Sequence, residues 1–148
     1  MKQVKLYAPE KFGAQPCCFH DATPEQIAAA IGKGGCGPGG IGDYLVPDTM
    51  WGLNVRPACS IHDWQYHWGR TIDDKIKADL NLRDNLVRLI KAQNSWGFIE
   101  NLRLNRARVY YEAVKHFGGP AFWSGKSSIY ELREVTAMHL VQRKNDGV

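Results

Sequence analysis

The sequence predicts an all-α fold built on an antiparallel pair of helices, with further helices C-terminal to the pair. Three observations predict it. Apolar residues recur at three- and four-residue spacing over three long stretches, near 57–68, 74–92 and 98–117. Prolines and glycines stand where helices begin and end, as at Pro24, Gly32, Pro57, Gly69 and Gly118. The apolar excursion over 43–54, with Pro47-Asp48 as a turn, reads as partly buried loop rather than strand.

The 148 residues suit one domain, 1–148, long enough to bury a core unaided. It divides into an irregular arm over 1–22, a core over 24–92, and C-terminal helices with a tail over 98–148. The arm shows no sustained period and contains Pro9, Gly13 and Pro16; the adjacent Cys17 and Cys18 are read as its pin. Thr23 caps the first helix, Pro24 takes its first position and Gln26 reaches back to the cap. Gly32 ends it.

Residues 32–42 hold seven glycines and a proline, which excludes regular structure there. Pro57 then opens a helix that Gly69 stops. Ala58, Ile61, Trp64 and Trp68 form its apolar stripe, while Cys59, His62, Asp63 and Tyr66 gather on another side. Adjacent residues on a helix point about 100° apart, so His62 and Asp63 can serve different partners.

The next helix, about 74–92, carries Ile72, Ile76, Leu82, Leu86 and Ile90 around the direction of Asp79. Lys77, Asn81, Asp84 and Arg88 oppose them, with Asp84 and Arg88 spaced to pair. Asp79 is therefore a carboxylate in a buried stripe, and it needs a partner. Antiparallel helices joined near Arg70 bring His62 opposite it. A third helix, about 98–117, presents Ile99, Leu102, Arg106, Val109, Tyr110, Ala113, Val114 and Phe117 inward, and a fourth runs over Ile129–Gln142.

Composition is that of an ordinary globular chain, 44% hydrophobic and 23% charged, with a formal net charge of +4. No run of about 18 apolar residues exists, so no transmembrane segment is expected. Residues 1–10 contain lysines without an apolar stretch behind them, so no signal peptide is read. The mild positive charge carries no nucleic-acid motif, and no nucleic-acid partner is expected. Trp51, Trp96, Phe122 and Trp123 read as core ahead of a membrane-facing rim. Four cysteines, Cys17, Cys18, Cys36 and Cys59, allow three complete pairings, and neighbours such as Cys17 and Cys18 rarely bridge each other. Zinc held by Cys17, Cys18, His20 and Cys36 is a minor reading, because the spacing fits no finger or ribbon.

Cys36-Gly37-Pro38-Gly39-Gly40-Ile41-Gly42 is similar to the Cys-Gly-x-Gly-Gly-x-Gly calcium loop of the phospholipase A2 family, and Cys59 to Tyr66 resembles its Cys-x-x-His-Asp-x-x-Tyr helix. Ala78-Asp79 stands where that family has its second aspartate. The resemblance covers about residues 24–90 and implies calcium-dependent hydrolysis of the sn-2 acyl ester of glycerophospholipids at a membrane surface; a monomer is expected. It implies His62 as general base, Asp79 as its orienting carboxylate, Tyr66 as support for Asp79, and the Gly37 N–H as an oxyanion donor. Calcium would be held by the carbonyls of Gly35, Gly37 and Gly39 with the Asp63 carboxylate, and a Cys36–Cys59 disulfide would tie loop to helix. Ala58, Trp64 and Gln65 replace cysteines of the animal secreted enzymes, the Gly42-to-Cys59 spacing is longer, no second tyrosine is found for Asp79, and the hairpin between the long helices is missing. The chain looks closer to the abbreviated microbial or viral members, with a secreted or virion-associated location favoured. The rival reading is a non-catalytic module that keeps this scaffold to bind membrane or a partner.

Overall fold

A computed structural model of the chain describes residues 4–32 and 47–126. The glycine loop with Gly35, Cys36, Gly37 and Gly39, and the predicted helix Ile129–Gln142, lie outside the described residues. The described residues are mostly helical, with one small two-stranded sheet among them. Among the described residues no helix is long and apolar enough to cross a membrane.

The first helix, α1, spans Pro24–Ile31. Its predicted start is present as a capping box: the Gln26 N–H donates to Thr23 Oγ1 at 3.2 Å and the Thr23 N–H to Gln26 Oε1 at 2.8 Å. Two strands follow, β1 (Thr49–Met50) and β2 (Leu53–Asn54), paired antiparallel with Met50 opposite Leu53. The sequence reads a loop here, and the structure corrects it. Trp51 and Gly52 turn the chain with φ of 44° and 76°, the double positive φ that a tight two-residue hairpin needs. A tryptophan at the first of these positions hides the signal.

The helix of His62, α2, spans Arg56–Trp68, and α3 spans Ile72–Lys91. Three residues join them, so α3 folds back along α2. α3 begins two residues earlier than the apolar pattern predicts because Thr71 caps it: the Asp74 N–H donates to Thr71 Oγ1 and the Thr71 N–H to Asp74 Oδ2, both at 3.1 Å. Such a cap stabilises a helix by about 0.5–2 kcal/mol. The fourth helix, α4, spans Gly97–Phe117, and a short α5, Gly119–Trp123, follows across Gly118.

The main core lies where α2, α3 and α4 meet, filled by Val55, Ile61, Leu82, Leu86, Ile90 and Tyr110. Leu86 and Ile90 are fully buried, each worth about 1.5–3 kcal/mol of transfer. A second cluster joins Phe12, Tyr66, Ala78 and Phe122. Phe122 thus enters the core, whereas Trp51 and Trp96, read as core, are 50% and 87% exposed. Two helices shift in part from their predicted inner faces. In α3, Leu82, Leu86 and Ile90 are buried as predicted, but Ile76 is exposed and Lys75 is buried in its place. In α4, Tyr110 is buried as predicted, but Val109 and Phe117 are exposed while Arg103 and Ala107 are buried.

Both shifts have polar causes. Arg103 donates to the carbonyls of Met50 at 3.1 Å and Trp51 at 2.6 Å, and to Ser95 Oγ at 2.6 Å, so it draws its helix face against the hairpin. Lys75 does the same for α3 in the candidate site. Asp84 meets Arg83, at 2.8 Å, rather than Arg88. The arm is pinned differently from the expectation too: Cys17 and Cys18 are free thiols. Leu6 and Phe12 are buried, and the Asn85 amide pairs with the backbone of Tyr7, accepting its N–H at 2.7 Å and donating to its carbonyl at 2.8 Å.

Candidate active site

His62 sits in the second turn of α2 and Asp79 in the second turn of α3, and the fold-back brings them together in the interior. The Asp79 carboxylate is held below its ordinary pKa: burial would raise it, but hydrogen bonding with His62 and the Lys75 cation outweigh burial. An ionised carboxylate only accepts, so the His62 nitrogen facing it carries the hydrogen. His62 Nε2–H therefore donates to Asp79 Oδ1 at 2.9 Å. Tyr66, one turn after His62, donates its hydroxyl to the same oxygen at 2.6 Å. Its ring lies 4.0 Å from the imidazole, centroid to centroid. Burial first, then the Asp79 charge, push the tyrosine pKa far up, so the phenol stays protonated as a donor.

The other nitrogen of His62, Nδ1, faces the Asp63 carboxylate, 3.9 Å from its Oδ1. Burial would lower the imidazole pKa, but the carboxylates of Asp63 and Asp79 outweigh it and hold it above the ordinary value. With Nε2 protonated, neutral His62 presents a basic lone pair at Nδ1, on the Asp63 side. The Asp63 side chain is 34% exposed, against 6% for His62. A buried, oriented imidazole with its second nitrogen toward a more open carboxylate suits proton abstraction.

Asp63 also lines a cleft of about 380 Å³ with Tyr66 and His67 of α2, Arg70 of the connection to α3, Ile31 at the end of α1, and Lys126 beyond α5. His67 in this cleft is held below its ordinary pKa by burial first and then by the charges of Arg70 and Lys126.

The structure therefore groups His62, Asp63, Tyr66 and Asp79. Cys59 is buried next to them, one turn before Asp63 on the same helix. Gly35, Cys36, Gly37 and Gly39 lie outside the described residues, so the Cys36–Cys59 pairing and the loop carbonyls do too. Among the described residues no group of three or more His, Cys, Asp or Glu is arranged to hold a metal. Asp63 offers calcium one hard, partly exposed carboxylate; the loop carbonyls that the resemblance implies as further ligands lie outside the described residues.

Sequence reasoning missed Lys75. Its ammonium donates to Asp79 Oδ2 at 2.8 Å and is only 3% exposed by side chain. It occupies the Asp79 oxygen that His62 and Tyr66 do not use. The signal was available: Lys75 precedes Asp79 by one helical turn, and a buried carboxylate favours a cation there. In the sequence Gly118 reads only as a helix stop, yet a Cβ on it would stand 2.3 Å from Tyr66 Oη.

Comparison with protein-family models, curated proteins and solved structures finds no match to the chain.

Proposed function

We propose that the chain is a calcium-dependent phospholipase A2, hydrolysing the sn-2 acyl ester of glycerophospholipids. The observation that carries this reading is the buried His62–Asp79 pair, locked by Tyr66, whose remaining imidazole nitrogen faces the Asp63 carboxylate. A histidine satisfied only for packing would not need a second, more open carboxylate on its other nitrogen. The three sequence motifs, in order, support the same assignment.

In the proposed mechanism, His62 Nδ1 takes a proton from a water that attacks the ester carbonyl. Asp79 holds the ring in the Nε2–H tautomer and stabilises the imidazolium that forms. Tyr66 keeps the carboxylate aimed. The Gly37 N–H donates to the developing oxyanion, and His62 then returns its proton to the leaving alkoxide. Asp63 and the carbonyls of Gly35, Gly37 and Gly39 would hold calcium, which supplies electrostatic stabilisation of the oxyanion when bound. A Cys36–Cys59 disulfide would fix the loop over the helix.

The test is fatty-acid release from mixed phospholipid vesicles, with calcium or with chelator, for wild type and His62→Ala in parallel. Release is expected from the wild type with calcium and from no other arm. Release by folded His62→Ala at the wild-type rate would remove His62 as base. Calcium-dependent vesicle binding without any turnover would favour the non-catalytic module instead.

A further inference from the structure

The geometry points to Lys75 as a positioning residue that fixes the Asp79 carboxylate, and through it the ring of His62, by tying both to the C-terminal end of α4. The inference rests on the proposed role of His62. Lysine is almost never fully buried unless paired, and Lys75 is 3% exposed. Its ammonium makes two ties of different kinds: 2.8 Å to Asp79 Oδ2 and 3.0 Å to the Val114 carbonyl in the last turn of α4. The Lys115 carbonyl stands at 3.5 Å. The end of a helix carries partial negative charge on such carbonyls, so a cation is favoured there. Lys75 is thus seated between a helix end and a carboxylate, and it can move toward neither without leaving the other.

The division of labour on Asp79 makes the tie specific. Oδ1 receives both His62 Nε2–H and Tyr66 Oη–H. Oδ2 receives Lys75. Without a donor on Oδ2, the carboxylate can rotate about its Cβ–Cγ bond and share its oxygens differently between histidine and tyrosine. Any rotation that lengthens the hydrogen bond from His62 Nε2–H lets the Asp63 carboxylate, 3.9 Å from Nδ1, compete as acceptor, and the tautomer is then no longer fixed. Gly118 lets α4 come close enough for this: its N–H donates to the same Val114 carbonyl at 2.8 Å, and its missing side chain leaves room for the Tyr66 hydroxyl. A merely structural lysine would alter stability and leave the tautomer unchanged.

The experiment compares wild type with Lys75→Met by nitrogen NMR of isotopically labelled histidine, at a pH where the His62 ring is neutral, and by vesicle hydrolysis. The wild type is expected to show His62 wholly as the Nε2–H tautomer. The folded variant is expected to show a mixture, with kcat lower by about 10–100-fold and KM within about threefold, the range for removing an orienting partner. A folded variant with an unchanged tautomer and unchanged kcat overturns the inference. Should Lys75→Met fail to fold, acetylation of the wild type decides. Lys75 labelling at least about tenfold slower than exposed Lys77, with the Nε2–H signal changing only when Lys75 reacts, upholds the tie; equal labelling with no change of signal overturns it. The tautomer measurement needs no turnover. An inactive wild type with a tautomer that depends on Lys75 would therefore refute the hydrolase reading alone.

Discussion

Replacing Asp79 with Asn tests the interior of the candidate site most sharply, because it keeps the shape and removes the charge. The carboxylate accepts three donors at 2.6–2.9 Å, all from buried side chains. Asparagine has one acceptor oxygen: kept for His62 and Tyr66, it leaves an amide N–H facing the Lys75 ammonium, and turned toward Lys75 it leaves an amide N–H facing His62 and Tyr66. The cation is then buried without its counter-charge, which costs about 3–5 kcal/mol in comparable pairs. Against a total stability of about 5–15 kcal/mol this is a large share. At about 2–4 °C per kcal/mol for a chain of this size, the melting temperature falls by about 6–20 °C. The assay is urea unfolding at neutral pH for wild type, Asp79→Asn, Lys75→Met and the double variant. The double is expected to lose less than the sum of the singles, by about 1–3 kcal/mol, since removing both partners leaves no orphan charge. The pH dependence carries a definite sign. The folded-state pKa of Asp79 is lowered, so its contribution is present above the ordinary value of 3.8 and is lost as pH falls through the folded-state value. Wild type and Asp79→Asn should converge in acid. A loss under about 1 kcal/mol, or strict additivity in the double, would refute the reasoning.

Two further perturbations probe neighbouring parts. Gly118→Ala puts a Cβ 2.3 Å from Tyr66 Oη and 2.4 Å from the Val114 carbonyl, where neither can yield without releasing Asp79 or Lys75. It should destabilise by about 1–3 kcal/mol in denaturant unfolding and lower vesicle hydrolysis together with stability; an unchanged midpoint would show the turn to be looser than described. Asp63→Asn should abolish calcium binding by calorimetry while changing the melting temperature little, since the side chain is one-third exposed; retained calcium affinity would move the metal elsewhere.

Helix ends were legible in the sequence because they are set by local chemistry. Thr23 with Gln26 and Pro24 needs no tertiary partner to be recognised. The meeting of His62 with Asp79 was legible as well, because a short connection at Gly69 fixes which residues of two helices face each other. What hydropathy could not give was which polar residues enter the buried faces. Ile76 outranks Lys75 on any apolar scale, yet Lys75 is the one drawn inward, by a carboxylate on its own helix and a carbonyl on α4. Arg103 escapes for the same reason: its partners are backbone carbonyls at Met50 and Trp51, on a hairpin that periodicity did not reveal. The capping of α3 by Thr71 was missed because the apolar pattern begins later than the hydrogen bonds do.

The central claim, that His62 activates water against one ester of a phospholipid, is tested most directly with a lipid whose two acyl chains differ in mass, incubated with calcium in isotopically labelled water. The account predicts release of the sn-2 acid alone, bearing one labelled oxygen, from the wild type and not from His62→Ala. Equal release of both acids, or labelled acid from folded His62→Ala at the wild-type rate, would contradict it.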